Sequence, residues 1–480
     1  MTLQQLFQDV KYSGTLPQAE AAAVTQDSRR VKPGSVFVCT VGRRSDGHEY
    51  AAKALEAGAV CVVTQRPLGL EREVQVEDGR KALALLSQNF FGRPAEKLKL
   101  IAVTGTNGKT TVTTVIKQVL EAAGRRCGLI GTIHTEIDGM ELPAKYTTPE
   151  AWDLAALMAR MAEAGCEYAV MEASSQALDQ LRLYGLRFVC GAFTNLTQDH
   201  LDYHGTMEAY FMAKASLFDQ CDAMVVNYDD EYGRRLAGMY PEKPKLTFSD
   251  RDDMADYTAH NIQYAADGVK FAMVAKGSIH RVAFPMPGEY SVSNAMCAAV
   301  TAVTAGVDAA LAARALASSR GVRGRSEVLY SGDFTILCDY AHTGDGVEKI
   351  LSSVRPFVKG RLIALFGCAG ERDAKKRPQM AEAVIKHADI AVLTSDNPRG
   401  EDPEAIIRDV EPPLRACGME YYTAVDRRRA LELALGLLEK NDVLVLCGKG
   451  HEDYQVIDGV TLYLDEHRIV ADWLREKHLR

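Results

Sequence analysis

Leu98-Lys99-Leu100-Ile101-Ala102-Val103-Thr104-Gly105-Thr106-Asn107-Gly108-Lys109-Thr110-Thr111 runs from an apolar, strand-like stretch into a glycine-rich turn, and an amphipathic helical pattern follows to about Ala123. This is where a phosphate loop belongs. Gly105 and Gly108 let backbone amides converge, and the N-terminus of the following helix favours an anion. Lys109 can place a positive charge on the β- and γ-phosphates of a nucleotide, and Thr110 can offer its hydroxyl to magnesium. The loop is a variant, because Val103 stands where the longer Gly-x-x-x-x-Gly-Lys pattern has its first glycine. A plain Gly-Asn turn with a solvated lysine is the competing reading; strand and helix on either side favour nucleotide binding.

Outward from the loop, apolar runs at residues 168–171, 188–193 and 223–226 alternate with helical segments, which predicts a largely parallel sheet covered by helices. Beyond residue 325 the alternation begins again, with strands predicted at 334–338, 362–366, 390–393 and 443–446. Gly367, Gly370, Gly448 and Gly450 fall at those strand ends, where open α/β sheets hold ligands. Phe91-Gly92-Arg93-Pro94 and Gly321-Val322-Arg323-Gly324-Arg325 punctuate the chain, the second after an alanine-rich helical stretch from about Ala309 to Ser318. Three α/β domains are expected, at residues 1–95, 96–322 and 323–480. The length of 480 residues agrees with that number at roughly 150 residues per domain.

Apolar residues make up 47% and charged residues 25%, a globular balance that excludes a disordered or collagen-like chain. The net charge of −8 argues against a broad surface for nucleic acid or anionic membrane. No run approaches the roughly 18 apolar residues of a membrane span, and the first residues carry no secretory pattern. Eleven scattered cysteines, never spaced Cys-x-x-Cys, read as reduced, mostly buried thiols.

Glu172 and His200 follow two of the predicted parallel strands and so belong at the same edge as the phosphate loop, within reach of a magnesium ion. A lone Glu or His is more often a cap or a satisfied core group, and position alone leaves both readings open. Lys214, in Tyr210-Phe211-Met212-Ala213-Lys214-Ala215-Ser216-Leu217-Phe218, reads as a snorkelling surface lysine.

Together the loop, Glu172, Thr194-Asn195-Leu196, Asp199-His200-Leu201-Asp202-Tyr203-His204 and Lys214 resemble the Mur ligase family, ATP-dependent amide-bond ligases of peptidoglycan precursor synthesis. The resemblance covers nearly the whole chain. Asp27-Ser28-Arg29 with Asp46-Gly47-His48 is similar to the family's nucleotide-sugar domain. Asp339-Tyr340-Ala341-His342-Thr343, Arg372-Asp373, Asp396-Asn397-Pro398-Arg399 and Gly448-Lys449-Gly450-His451-Glu452 are similar to its C-terminal domain. The set is most like the family members that add diaminopimelate.

The resemblance implies a central P-loop ATPase domain and a Rossmann-like C-terminal domain. It implies that Gly105, Thr106, Asn107, Gly108, Lys109, Thr110 and Thr111 bind ATP, with Asn294, Arg325, Asp339 and His342 completing that site. Gln26, Ser28, Arg43, Arg44 and Ser45 would meet the uridine nucleotide. Tyr146, Thr147, Thr148, Ser174, Gln180 and Arg182 would hold the sugar-peptide part of UDP-N-acetylmuramoyl-L-alanyl-D-glutamate. An exposed helical arginine and a helix entry at Thr147-Thr148-Pro149-Glu150 are the structural alternatives. Lys214 would be N-carboxylated and would join Thr110, Glu172 and His200 around Mg2+, with Lys109, Lys214 and His200 as the catalytic set.

For the incoming amino acid the resemblance singles out Arg372, Asp396, Asn397, Pro398, Arg399, Gly448 and Glu452. meso-Diaminopimelate carries a second carboxylate that lysine lacks, and Arg399 offers a planar fork to grip it. Lysine would leave the fork without its anion, so diaminopimelate is expected over L-lysine. Gln176, Gly344, Ala369 and Glu371 depart from the family's usual His, Pro, Gly and Asp, and Arg323-Gly324-Arg325-Ser326 replaces the common Pro-Gly-Arg. These affect loop geometry rather than reaction class. A dinucleotide-dependent oxidoreductase would rest on Phe366-Gly367-Cys368-Ala369-Gly370, which lacks the full fingerprint. A nucleotide-binding switch would leave the acceptor and amino-acid motifs without a use, and folate polyglutamylation is a nearer rival inside the ligase class. A bacterial cytoplasmic monomer serving wall synthesis, cell shape and division, without nucleic-acid or membrane partners, is expected.

Overall fold

The structure, a computed structural model, describes residues 1–42, 45–275 and 277–479, with the backbone alone at Lys376. It divides into two units, residues 1–257 with 297–312, and residues 258–296 with 313–480.

The first unit opens on four short parallel strands in sequence order: β1 Ala23–Thr25, β2 Ser35–Val38, β3 Cys61–Thr64 and β4 Glu73–Gln75. Their apolar side chains bury against Leu83 and Leu86 of the helix Gly79–Phe90, whose N-terminal amides are capped by Asp78. Strands of three or four residues carry too little alternation to stand out in sequence, so the sheet of the expected α/β domain has no strand positions legible there.

A larger sheet follows, built from β5 Lys99–Thr104, β6 Cys127–Ile130, β7 His134–Ile137, β8 Met140–Pro143, β9 Tyr168–Glu172, β10 Phe188–Phe193, β11 Met224–Asn227 and β12 Lys245–Ser249. The order is β12-β11-β10-β5-β9-β6-β7-β8. All neighbours through β6 pair in parallel; β7 and β8 form an antiparallel hairpin turning on Asp138 and Gly139, both at positive φ. Every residue of β5 except Lys99 is buried, which explains its unbroken apolar run. Register pairs Val103 with Glu172 and Thr104 with Phe193, so β5, β9 and β10 end side by side. The helix Lys109–Ala122 buries Val112, Val115, Ile116, Val119 and Leu120, an apolar stripe at helical spacing.

The second unit contains the successive neighbours β13 Tyr257–Ala265, β14 Gly268–Ala275 and β15 Ser278–Phe284. Its main sheet comprises β16 Glu327–Ser331, β17 Thr335–Asp339, β18 Leu362–Cys368, β19 Ile390–Ser395, β20 Glu420–Ala424 and β21 Val443–Cys447, in the order β16-β17-β21-β18-β19-β20. Only β16 runs antiparallel to its neighbour. Along β18, Leu362, Ala364 and Phe366 enter one core while Ile363 and Leu365 enter the other, so helices cover both faces. A hairpin, β22 Tyr454–Ile457 and β23 Val460–Tyr463, completes the strands.

All eleven cysteines are free thiols, ten of them buried. No helix among the described residues is long and apolar enough to cross a membrane.

Beneath the strand ends of the second unit, Arg427 pairs with Glu466 at 2.8 Å, both side chains fully buried. Arg427 also donates to the carbonyls of Ser395 and Cys447, tying the ends of β19 and β21 together. Glu466→Gln should therefore lower the stability of this unit by about 3–5 kcal/mol, because it strands a buried guanidinium. Urea denaturation checks this, and the Arg427→Met, Glu466→Leu double variant should recover part of the loss.

Candidate functional site

The phosphate loop is shaped by its neighbour strand. Gly105 has φ +149°, and a Cβ there would lie 1.9 Å from Thr194 Oγ1, just past the end of β10. Asn195 braces the same turn: its Oδ1 accepts from Asn107 N at 3.0 Å, its carbonyl accepts from Thr106 N at 2.8 Å, and its Nδ2 donates to the Asn107 carbonyl. Thr194 Oγ1 donates to that carbonyl at 2.6 Å. Asp230, which caps the helix Glu231–Met239, receives Leu196 N and so anchors the brace in turn. Gly108 enters the helix at φ +85°, leaving the first-turn amides of Lys109, Thr110 and Thr111 directed at the loop's concavity.

Two lysines converge on this loop. Lys109 Nζ donates to the carbonyls of Gly105 and Thr106 at 2.9 and 2.8 Å. Lys214 Nζ donates to the Gly105 carbonyl at 2.7 Å and lies 4.5 Å from the Tyr210 ring centroid. Lys214 is 1% exposed, so the surface reading is overturned. It follows Tyr210 by four residues and Phe211 by three, which puts it on the buried stripe of the helix Met207–Ala215. Burial, reinforced by the Lys109 charge, holds its amine well below the usual lysine range.

Glu172, also 1% exposed, closes the other side. Its Oε2 accepts from Thr110 Oγ1 at 3.1 Å and Thr132 Oγ1 at 3.0 Å, and its Oε1 accepts from Thr132 N at 2.7 Å. His200 sits apart from it. At φ +52°, its ring lies beside Asp199 at 3.4 Å and edge-on to Tyr210, whose hydroxyl meets Thr106 Oγ1 at 3.2 Å. Among the described residues, no hydrogen bond or ion pair joins His200 to Glu172, Thr110 or Lys214, and no group of three or more His, Cys, Asp or Glu side chains gathers as a metal cluster.

Of the residues predicted for the acceptor, Gln26, Tyr146, Thr147, Thr148, Ser174, Gln180 and Arg182 fall into one connected network. Thr148 Oγ1 donates to the Glu172 carbonyl at 2.7 Å and accepts from Ser174 N, while Thr147 meets Thr132. Arg182 donates to the Thr148 carbonyl and to Gln180 Oε1, each at 2.7 Å, and lies over the Tyr146 ring. It is not a free surface arginine: it also pairs with Glu150 at 2.7 Å. Gln26 Nε2 donates to the same carboxylate at 2.9 Å. Glu150, quoted in the sequence only as part of a helix entry, is thus the joint between Gln26 and Arg182. Ser28 begins a short 3-10 turn capped by Asp27, and Ser45 is exposed. Arg43 and Arg44 lie outside the described residues.

In the second unit, Asp339 at the end of β17 accepts from Ser326 N at 2.7 Å and Ala341 N at 2.8 Å, and burial raises its carboxyl above the usual range. Arg325 stacks its guanidinium 5.1 Å from the Tyr340 ring centroid, and His342 Nδ1 meets the Tyr340 carbonyl at 2.8 Å. Asn294 is buried in the helix Glu289–Thr304.

Asp396, Asn397, Pro398 and Arg399 leave the end of β19. Fully buried Lys449, to which sequence reasoning gave no role, contacts Asn397 Oδ1 at 2.7 Å, Asp396 at 3.1 Å and Glu452 at 3.3 Å. Asn397 Nδ2 donates to Glu452 Oε2, and Tyr340 donates to Glu452 Oε1. Gly448, at φ +113°, passes close to Asp396. Arg399 is half-buried at φ +57° and Arg372 is exposed; among the described residues no hydrogen bond or ion pair engages either guanidinium.

Three family models match the chain: Mur ligase family, catalytic domain over residues 20–91; Mur ligase middle domain over 103–302; and Mur ligase, glutamate ligase domain over 324–450. The chain is 41% identical to UDP-N-acetylmuramoyl-L-alanyl-D-glutamate–2,6-diaminopimelate ligase 1 of Clostridium acetobutylicum, over 99% of this chain and 100% of the relative. It is 40% identical to the ligase of that name from Geobacillus thermodenitrificans, over 95% and 96%. A solved structure of a UDP-N-acetylmuramoyl-L-alanyl-D-glutamate–2,6-diaminopimelate ligase matches all of both chains with a TM-score of 0.76 and 31% identity.

Gly105→Ala should impose strain of about 1–3 kcal/mol on the loop and weaken nucleoside triphosphate binding about tenfold or more, since Thr194 cannot retreat without releasing Asn107. Calorimetric titration checks it; an unchanged affinity in a folded variant would refute this account of the loop.

Proposed function

The chain belongs to the Mur ligase family, and we propose that it joins meso-2,6-diaminopimelate to the D-glutamyl γ-carboxylate of UDP-N-acetylmuramoyl-L-alanyl-D-glutamate with cleavage of ATP to ADP and phosphate. The observation that carries the amino-acid choice is the Arg399 guanidinium. It stands without a protein partner among the described residues, on a segment whose other polar groups are already engaged. A fork of that kind matches a carboxylate, and diaminopimelate has one at the end where lysine has none.

The reaction is an acyl-phosphate ligation. A γ-carboxylate oxygen of the acceptor attacks the γ-phosphorus of ATP, the bond to the bridging oxygen breaks, and ADP leaves. The amine of diaminopimelate then attacks the acyl carbon; the C–N bond forms, the C–O bond breaks, phosphate departs with the electron pair and the amine loses a proton. Lys109 and the first-turn amides stabilise charge on the transferring phosphoryl group. Gln26, Ser28 and Ser45, with Tyr146, Thr147, Thr148, Ser174, Gln180 and Arg182, hold the acceptor; Arg182 exchanges the Glu150 carboxylate for an anionic group of the substrate. Asn294, Arg325, Asp339 and His342 serve the nucleotide, and Arg372, Asp396, Asn397, Pro398, Arg399, Gly448 and Glu452 serve the amino acid. The domains proposed to do this are residues 1–95, 96–322 and 323–480.

The donor set beside the loop suits magnesium. Thr110 and Glu172 offer hard oxygens 3.1 Å apart, and His200 and carboxylated Lys214 would complete the ligands. Magnesium, when bound, neutralises charge on the β- and γ-phosphates. Lys214 favours modification because a buried ammonium is costly where an uncharged amine is not. That amine attacks carbon dioxide, a C–N bond forms, and one proton is released. The carbamate nitrogen keeps one N–H, which matches the single carbonyl of Gly105 that it meets. Nucleotide-linked wall precursors place the reaction in the bacterial cytoplasm, and a monomer suffices for it.

Lys214→Ala should lose about a hundredfold or more in amide formation, and formate or acetate should restore part of it; full activity without rescue would remove the carbamate. Arg399→Ala should raise the KM for diaminopimelate with a penalty of about 2–5 kcal/mol, leaving the KM for ATP nearly unchanged. Mass analysis of product made from equal diaminopimelate and L-lysine checks the choice directly, and a mainly lysine product would sink it.

A further inference from the structure

We propose that the hairpin formed by β22 and β23 is a clamp that holds the amino-acid-reading segment in its working shape, with Gln455 as the positioning residue. This rests on the reading of residues 396–399 given above. The hairpin turns on Asp458 and Gly459, both at positive φ, and every residue of β23 is exposed. A two-stranded ribbon of this kind is marginal by itself. Its other edge is occupied by Arg399, which bridges Ile457 in parallel: Arg399 N donates to the Val456 carbonyl at 2.9 Å, and Asp458 N donates to the Arg399 carbonyl at 2.5 Å. The reading segment is therefore a third, one-residue strand of the hairpin.

Three further hydrogen bonds fix the residues before it. Gln455, 6% exposed, donates through Nε2 to the Asp396 carbonyl at 2.5 Å and to Ser395 Oγ at 3.4 Å. Val456 N donates to Asn397 Oδ1 at 3.0 Å. On the opposite side, Gly370 N donates to the Asn397 carbonyl at 2.9 Å, and a Cβ on Gly370 would lie 1.9 Å from the Pro398 carbonyl oxygen. The segment is thus gripped from both sides, and the grip has a purpose in the backbone. A non-glycine residue at φ +57° is held there against its own preference. The hydrogen bonds that retain it are those of the hairpin. Released, Arg399 would relax toward ordinary φ and its side chain would leave the segment in a different direction. Gln455 touches no substrate in this scheme; it acts through Asp396 and Arg399.

The test uses the full chain with Gln455→Glu, and with Gln455→Met where added charge near Asp396 would confuse the result. Two readouts are taken. Amide hydrogen exchange at Asn397 and Arg399 should speed up by about tenfold or more, the effect expected for losing a buried hydrogen bond. The KM for the amino acid that the unmodified enzyme incorporates, whether diaminopimelate or lysine, should rise about tenfold, while the KM for ATP and for the UDP-linked acceptor stay within twofold. Faster exchange with an unchanged amino-acid KM would overturn the proposal, as would a parallel rise in all three KM values. A lysine product from the unmodified enzyme would refute the diaminopimelate assignment alone, because the clamp is read from exchange and from whichever amino acid is used.

Discussion

Between Gly105 and Thr194 there is room for a hydrogen atom and nothing larger, and the phosphate loop takes its shape from that closeness. The contact exists because β5 and β10 are parallel neighbours in a register that ends them together. Thr194 and Asn195 then supply hydrogen bonds that a self-contained loop would have to make internally. This accounts for Val103 at a position where longer loops carry glycine. It is fully buried in β5 and paired with Glu172, and the chain does not turn until Thr104 is past. A glycine there would only weaken a central strand.

The same parallel geometry makes Glu172 available, and it sorts the buried lysines by what they meet. Lys117 lies between Glu121 and Glu136, and Lys449 between Asp396 and Glu452; each is a paired cation with a structural reason to be charged. Lys214 is as buried as Lys449, yet its contact is a carbonyl oxygen and the charge beside it is the cation of Lys109. Burial and the Lys109 charge together outweigh the Asp199 carboxylate, so the setting disfavours protonation. Under the proposed reading this imbalance is what the carbamate resolves, and the Lys109 half of it is a property of the fold rather than of the neighbouring sequence.

What could be read from sequence follows the same division. Strands buried on both faces are legible, because they are continuous apolar runs ended by glycine or polar turns, as at β5, β18 and β21. Local caps are legible too: Asp402 caps the helix Pro403–Cys417, and an Asp-Pro pair is a recognisable helix entry. Hairpins are harder to place, although Asp138-Gly139 and Asp458-Gly459 each lie between strand partners and carry a hairpin signal. Burial of Lys214 was also within reach through its spacing from Tyr210 and Phe211. Contacts such as Glu150 with Gln26 and Arg182, or Gln455 with Asp396, join residues tens of positions apart or more, and no local pattern announces them.

Asn397 shows why the segment 396–399 needs an amide and not an acid at that position. Its Oδ1 accepts from Lys449 Nζ and from Val456 N, while its Nδ2 donates to Glu452. Aspartate could accept the first two but would set a second oxygen 3.1 Å from a carboxylate, where like charges repel in a partly desolvated site. The amide therefore lets one lysine pair with both acids, Asp396 and Glu452, without a third negative charge. With the acids engaged in this way, the arginines at 399 and 372 are the charged groups left to meet a ligand. Under the proposed reading, the site favours an amino acid that brings an extra carboxylate and disfavours one that brings an extra ammonium alone. Under that reading, selectivity lies in the contact with Arg399, which stays available because Lys449 and Asn397 already occupy the neighbouring acids.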